Sequence, residues 1–221
     1  MTNALAPLSW APDRPFRYVG GDPAIELLNT VNWTSRGLEE DRLSGYDRLT
    51  RWAEGAGVLI PRLGAQFRTL AAERPGEAEE ALREARKLRG VLREIFRAVA
   101  ERRPAAKLPT FRELNASLSR ALAQLQLVGM PPSEEGGPAV QWSWKGATER
   151  LDSITWPVVR SAAELLISDE AGRIRECEGV DCGWMYVDRS RNGFRRWCQM
   201  ESCGTREKSR RRAGRRRKNP G

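Results

Sequence analysis

The chain is 221 residues long with 30% charged residues, four cysteines and no histidine, a size that can bury one good core plus a small satellite. Its net charge of +9 is uneven: residues 171–221 hold 15 Lys/Arg against 6 Asp/Glu and residues 1–170 hold 23 of each, so a polyanionic partner is expected for the C-terminal part alone. The composition excludes a membrane-spanning helix, the opening MTNALAPLSWAPDRPF lacks the basic and apolar regions of a signal peptide, and no Walker A, G-x-S-x-G or G-x-G-x-x-G run calls for an enzyme.

In chain order, a Pro- and Ala-rich lead runs into an extended Phe16–Val19, and Gly20-Gly21-Asp22-Pro23 is turn chemistry. Residues 24–31 read as a helix start or a short strand. Asn29 and Thr30 would cap backbone groups there, the alternative being a small polar pocket of Glu26, Asn29 and Thr30 that senses a ligand. Residues 42–56 place Leu43, Tyr46, Leu49, Trp52, Ala53 and Ala56 on one helical face, closed by Gly55 and Gly57. Pro61 opens a shorter helix with Leu63, Phe67 and Leu70 inward. Residues 77–103 predict a long helix with an apolar stripe from Ala78 to Val99 and an opposite, solvated face of interleaved Arg, Lys and Glu. Thr110 and Glu113 have capping-box spacing before a helix with Leu114, Leu118, Leu122 and Leu125 inward. After a polar loop over residues 129–138, residues 140–144 alternate as a strand expected to pair with Leu127-Val128 or with Phe16–Val19. Its Trp142 and Trp144 read as core cover, with an aromatic platform for bases as the alternative. Residues 149–168 are helical again, with Leu151, Ile154, Val158, Ala162, Leu165 and Leu166 inward and Pro157 starting or kinking the helix.

Arg173-Ile174-Arg175 then leads without a linker into Cys177, which implies that the cysteine-bearing unit rests against the helical domain. The four cysteines form two pairs, Cys177-x4-Cys182 and Cys198-x4-Cys203, fifteen residues apart. Four thiolates suit a closed tetrahedral zinc site, with Gly183 and Gly204 supplying the turn after each pair. Disulfides, buried free thiols and an iron–sulfur cluster are the competing readings. Trp184, Tyr186 and Phe194 are expected to form a miniature core over the site, Trp197 to pack beside it, and Asp188 and Ser190 to hold the intervening loop.

The runs Cys182-Gly-Trp-Met-Tyr-Val-Asp188-Arg-Ser190 and Arg195-Arg196-Trp197-Cys198-x-Met200-x-x-Cys203-Gly-x-Arg206-x-Lys208 resemble the CGNR zinc-finger proteins. These are bacterial stress-induced transcription regulators with an N-terminal domain called ABATE. The signature Asn is replaced by Thr205, which keeps a hydroxyl and loses the amide. The resemblance extends to a glycine pair followed by a Leu-Asp-x-x-Asn-Thr stretch, where Ile25, Glu26, Asn29 and Thr30 stand here.

The fold expected is mainly α with a few short β-strands (α+β). It comprises an ABATE-like helical domain over residues 1–170, a four-cysteine finger over 171–208 and a basic tail over 209–221. The function expected is that of a zinc-dependent regulator of transcription, not an enzyme, binding double-stranded DNA in the cytoplasm at the nucleoid. Arg189, Arg191, Arg195 and Arg196 on the loop, with Arg206, Lys208, Arg210, Arg211 and Arg212 after the last cysteine, are the candidate contacts. Arg215, Arg216, Arg217 and Lys218 read as a flexible arm. The helical domain would bind a small-molecule effector or form a homodimer. Structured RNA or the ribosome is the alternative partner, and a finger that merely braces a ligand-binding or enzymatic domain is the alternative role.

Overall fold

The computed structural model describes residues 16–34, 37–131 and 139–218. The Pro- and Ala-rich lead and most of the polar loop before residue 139 lie outside them. The elements run α1 (Pro23–Leu28), β1 (Val31–Thr34), β2 (Gly37–Asp41), α2 (Tyr46–Gly55), α3 (Pro61–Glu73), α4 (Pro75–Ala100), α5 (Pro109–Leu122), β3 (Leu125–Gly129), β4 (Val140–Trp144), α6 (Trp156–Ile167), β5 (Ile174–Glu176), β6 (Met185–Val187) and α7 (Thr205–Lys218). The fold is mostly helical with a few short strands, as expected, and the strands form three two-stranded antiparallel sheets, of which the sequence pointed to the β3–β4 pairing. Among the described residues no helix is long and apolar enough to cross a membrane.

Helix α4 is the spine. Its Ala78, Ala81, Leu82, Ala85, Leu88, Val91, Leu92, Ile95 and Phe96 are all buried, so one stripe about 27 Å long runs down a helix that meets α1, α2, α3, α5 and β5. The same core takes in Leu27 and Leu28 of α1, Leu49 and Trp52 of α2, Val158 and Leu165 of α6, and also Ile174, Met185 and Val187 from the segment that leads to and follows the first cysteines. Burying those last three side chains in the main core fixes the C-terminal unit to the helical domain. Pro157 stands in the first turn of α6 and starts it, after a short 3-10 turn (Leu151–Thr155).

The structure departs from the sequence reading in four places. A hairpin β1–β2 precedes α2, which starts at Tyr46 rather than residue 42 because the Asp41 carboxylate accepts the Leu43 N–H (3.0 Å) and ends the strand in a turn. The Thr110 capping box does not form: Pro109 opens α5 after Leu108, and the Thr110 hydroxyl is buried with no hydrogen-bond partner among the described residues. Helix α5 ends at Leu122, which is exposed, and Leu125 belongs to β3. The fourth departure concerns α4, whose arginines are not all on a solvated face. Arg89 is 3% exposed, forms a two-pronged pair with Asp41 (2.8 and 2.5 Å) and donates to Thr30 Oγ1 (3.0 Å), while Arg93 reaches Glu176 (2.6 Å) and the Gly183 carbonyl (2.5 Å).

Strand β4 pairs with β3, Leu127 facing Trp142 and Leu125 facing Trp144. The two tryptophans differ: Trp144 packs at 5.9 Å against Trp156, whereas Trp142 is 56% exposed under the Arg160 guanidinium.

Candidate metal centre and nucleic-acid surface

Strands β5 and β6 present the first two cysteines. Cys177 leaves β5 with its N–H bonded to the Trp184 carbonyl (2.8 Å), and Cys182 closes a turn back to Gly179 (3.2 Å). Asp181 and Gly183 take positive φ (56° and 60°) to make that turn. Gly179 is needed for a different reason: a Cβ there would lie 3.0 Å from the Cys203 Cβ and 3.1 Å from its sulfur. The second pair sits on a π-helical turn (Met200–Gly204) that runs straight into α7. Gly204 does not have the positive φ expected of it; a Cβ there would run against the Met200 side chain, which would have to shift.

All four sulfurs lie within 4.8 Å of one another, and Cys198 Sγ is 3.6 Å from both Cys182 Sγ and Cys203 Sγ. Those separations are far above a disulfide bond of about 2.05 Å and all four cysteines are free, which removes the disulfide reading. They match the roughly 3.8 Å edge of a tetrahedron with zinc–sulfur bonds of about 2.3 Å. Backbone N–H groups of Gly179 (3.4 Å) and Cys198 (3.2 Å) point at Cys177 Sγ, and Arg206 donates to Cys203 Sγ (3.3 Å), so the donor set is arranged for thiolates. Hydrogen bonding among the crowded thiols pushes Cys182 and Cys198 well up and pulls Cys177 and Cys203 down. The four cannot all ionise unaided, and a dication resolves that conflict.

Around the cluster, Trp184 and Tyr186 are buried as expected, and Asp188 accepts from Ser190 N–H (2.9 Å), Ser190 Oγ (2.6 Å) and Arg195 N–H (3.1 Å), holding the loop. Phe194 is not part of this small core; it is 81% exposed.

The nine candidate nucleic-acid contacts separate into three sets. Arg189 and Arg195 are architectural: Arg189 clasps both Glu170 oxygens (2.6 and 2.7 Å) and the Gly21 carbonyl (2.6 Å). Arg195 donates to the Val19 (2.9 Å) and Cys198 (2.6 Å) carbonyls with its guanidinium 4.0 Å over the Tyr186 ring. Arg196, Arg206, Arg210 and Arg211 are tethered at the surface, to Glu178 (2.7 Å), Cys203 Sγ, and Glu207 (2.9 and 3.0 Å). Arg191, Lys208 and Arg212 are exposed with no ion pair among the described residues. The backbone of residues 215–218, expected as a flexible arm, continues α7 as helix. Thr205 uses its hydroxyl on the Met200 carbonyl (3.1 Å), inside the turn.

Of Glu26, Asn29 and Thr30, Glu26 lines a groove shared with Tyr18 and residues 194–201, while the polar atoms of all three are hydrogen-bonded within the fold. Glu26 accepts the N–H groups of Val19, Gly20 and Gly21 (3.1, 2.7 and 3.0 Å), and its burial raises its pKa. Asn29 exchanges both its amide groups with the Met185 backbone (2.9 and 3.0 Å), and Thr30 donates to Leu27 and accepts from Arg89. These polar atoms tie α1 to three different places: Glu26 to the preceding turn, Asn29 to β6 and Thr30 to α4. The sequence reading missed their counterparts, Arg93 with Glu176 and the Trp184 Nε1–Val31 carbonyl bond (3.0 Å). The spacing of Arg89, Arg93 and Arg97 on one helical face was the available signal.

Comparison with known families agrees with this geometry. A family model, ABATE, described as "Putative stress-induced transcription regulator", matches residues 21–169, and a CGNR zinc-finger model matches residues 173–217. That description is of a regulator, not of an enzyme. A CGNR zinc finger with four clustered cysteines points to zinc as the metal. No curated protein matches the chain.

Proposed function

Since the chain belongs to the ABATE family and carries a CGNR zinc finger, we propose that it regulates transcription by binding duplex DNA through α7, anchored by a zinc site. The carrying observation is α7 itself. Over Thr205–Lys218 it has nine Lys/Arg against one Glu, no apolar face, and contact mainly with the turn that precedes it. A helix that is polar all round gains nothing from packing on its own fold, and its like charges repel along it. A polyanion supplies what is missing, and a helix about 21 Å long fits a major groove. Cys177, Cys182, Cys198 and Cys203 would hold the metal, which ties the π-helical turn to β5–β6 and so fixes where α7 starts. Arg191, Lys208 and Arg212 are the cations open to phosphates, and the Glu207-paired Arg210 and Arg211 can exchange that carboxylate for the backbone of DNA.

The helical domain's part follows from the joint at Asn29, Arg93 and Trp184. A change in α1 or α4, whether from an effector or from a second copy, would reach the finger through three hydrogen-bonded contacts, two of them buried, and not through a linker. The test is selection from randomised duplexes at near-physiological salt, with structured RNA as competitor and a parallel arm in zinc chelator. One enriched motif that disappears with chelator is the expected result. Transfer of binding to the RNA competitor, or no motif in either arm, overturns the reading in favour of an RNA partner or of a finger that only braces the fold.

A further inference from the structure

Phe194 is the anomaly of the C-terminal unit. Its ring is 81% exposed, beside Trp184 and Tyr186 at 4% and 1%. Exposed aromatics of this kind are ordinary on mobile loops, but this loop is pinned. The Asp188 carboxylate holds the backbone on both sides, at Ser190 and at Arg195, and Gly193 turns at φ 65° with its N–H on the Ser190 carbonyl (3.2 Å). Arg195, the next residue, is locked under the fold by its carbonyl bonds and its stack on Tyr186. The chain therefore holds an apolar ring in water on a rigid stage, at a hydrophobic cost that its own core does not recover.

The surroundings say what the ring meets. Phe194 edges a groove of about 690 Å³ whose other walls include Tyr18, Trp197, Met200, Arg196 and Gln199. This groove runs to Met200 and Glu201, in the turn that launches α7 four residues further on, so Phe194 and the start of the basic helix belong to the same four-cysteine unit. Arg191 is exposed on the same loop, and Arg196 lies over the Trp197 ring. The groove also holds the Glu26 and Glu201 carboxylates, so what the exposed ring itself offers is a flat apolar face for a base, with phosphates left to the exposed Arg191 on the same loop. Resting on the DNA-binding reading above, we infer that Phe194 is a wedge: while α7 holds the duplex, the ring enters between two stacked bases and opens that step. Proteins that unstack DNA use apolar side chains held this way, and flexible pyrimidine–purine steps yield most readily.

The test uses the full-length zinc-loaded chain and a 30-base-pair mixed-sequence duplex with 2-aminopurine at a TA step, in 50 mM salt. Binding of the unaltered protein should raise the 2-aminopurine fluorescence. Phe194→Ala should lose that rise and weaken binding by about 5- to 20-fold, the scale of one base–aromatic stack. The slope of affinity against salt should stay unchanged, because no cation is removed. Phe194→Trp should keep both signals. Equal zinc content and circular dichroism check the fold of each variant. Unaltered affinity and fluorescence in Phe194→Ala, or no fluorescence rise with the unaltered protein, overturns the wedge and leaves the DNA reading standing. No binding to duplex by the unaltered protein removes the DNA reading and the wedge with it.

Discussion

Helices α4 and α7 are both rich in arginine and use it in opposite ways. Helix α4 interleaves Arg with Glu, has a full apolar stripe, and turns Arg89 and Arg93 into its own fold, where Asp41, Glu176 and two main-chain or hydroxyl oxygens receive them. Helix α7 has no stripe and one carboxylate, Glu207, shared between Arg210 and Arg211. In α4 the charge is part of the folding energy; in α7 it is left over from folding and available to a partner. The contrast teaches that arginine content by itself says little about nucleic-acid binding, and that the balance of carboxylates within reach decides it.

The largest expected break is at the cluster on which α7 depends. Cys198→Ser should abolish zinc retention and specific DNA binding, since structural zinc sites contribute on the order of 10 kcal/mol to local folding. The far-ultraviolet circular dichroism of the helical domain should survive, and normal binding by this variant would sink the zinc reading. Next comes Asp41→Asn, which leaves Arg89 buried without its counter-ion and should cost about 3–5 kcal/mol in urea unfolding while leaving the salt slope of DNA binding alone.

The same pair predicts a pH effect of definite sign. Burial opposes ionisation of Asp41, but the hydrogen bond and charge of Arg89 outweigh it and hold the carboxyl below its ordinary value. Its stabilising contribution is therefore fully present above about pH 4 and is lost as pH falls through the lower folded value. The stability gap between the unaltered protein and Asp41→Asn should narrow as the solution is acidified; a constant gap would mean the ion pair is not its source.

A smaller effect is expected from truncation after Lys208, which removes seven of the nine basic residues of α7. Affinity should fall by about 10²- to 10³-fold at 100 mM salt and its salt dependence should flatten, with thermal stability unchanged. A shift in melting temperature would show that α7 packs on the fold after all. Asn29→Ala should cost about 1–3 kcal/mol by stranding the Met185 main-chain groups, read by urea unfolding. Trp142→Ala, on an exposed strand, should change stability by no more than about 0.5 kcal/mol.

Local chemistry was readable in the residues themselves. Leu82, Leu88, Leu92 and Ile95 announce α4 because helical periodicity needs only the chain's own spacing, and the paired cysteines in a chain without histidine announce a thiolate site for the same reason. The excess of arginine after Cys203 likewise named the segment proposed to meet a polyanion. What stayed hidden depends on partners distant in sequence. Asn29 looked like a cap or a pocket residue because its partner, Met185, is 156 residues away. Arg93 looked solvated because Glu176 and Gly183 come to it only when β5 and β6 dock, and Thr110 looked like a cap because Pro109 starts the helix one position earlier. Phe194 read as core because aromatics beside zinc ligands usually are, and only the folded loop shows that Trp184 and Tyr186 already fill that space. Sequence determined which chemistry this chain carries; packing decided which of its arginines and aromatics are left facing outward, because burial and pairing are properties of neighbours brought together by the fold.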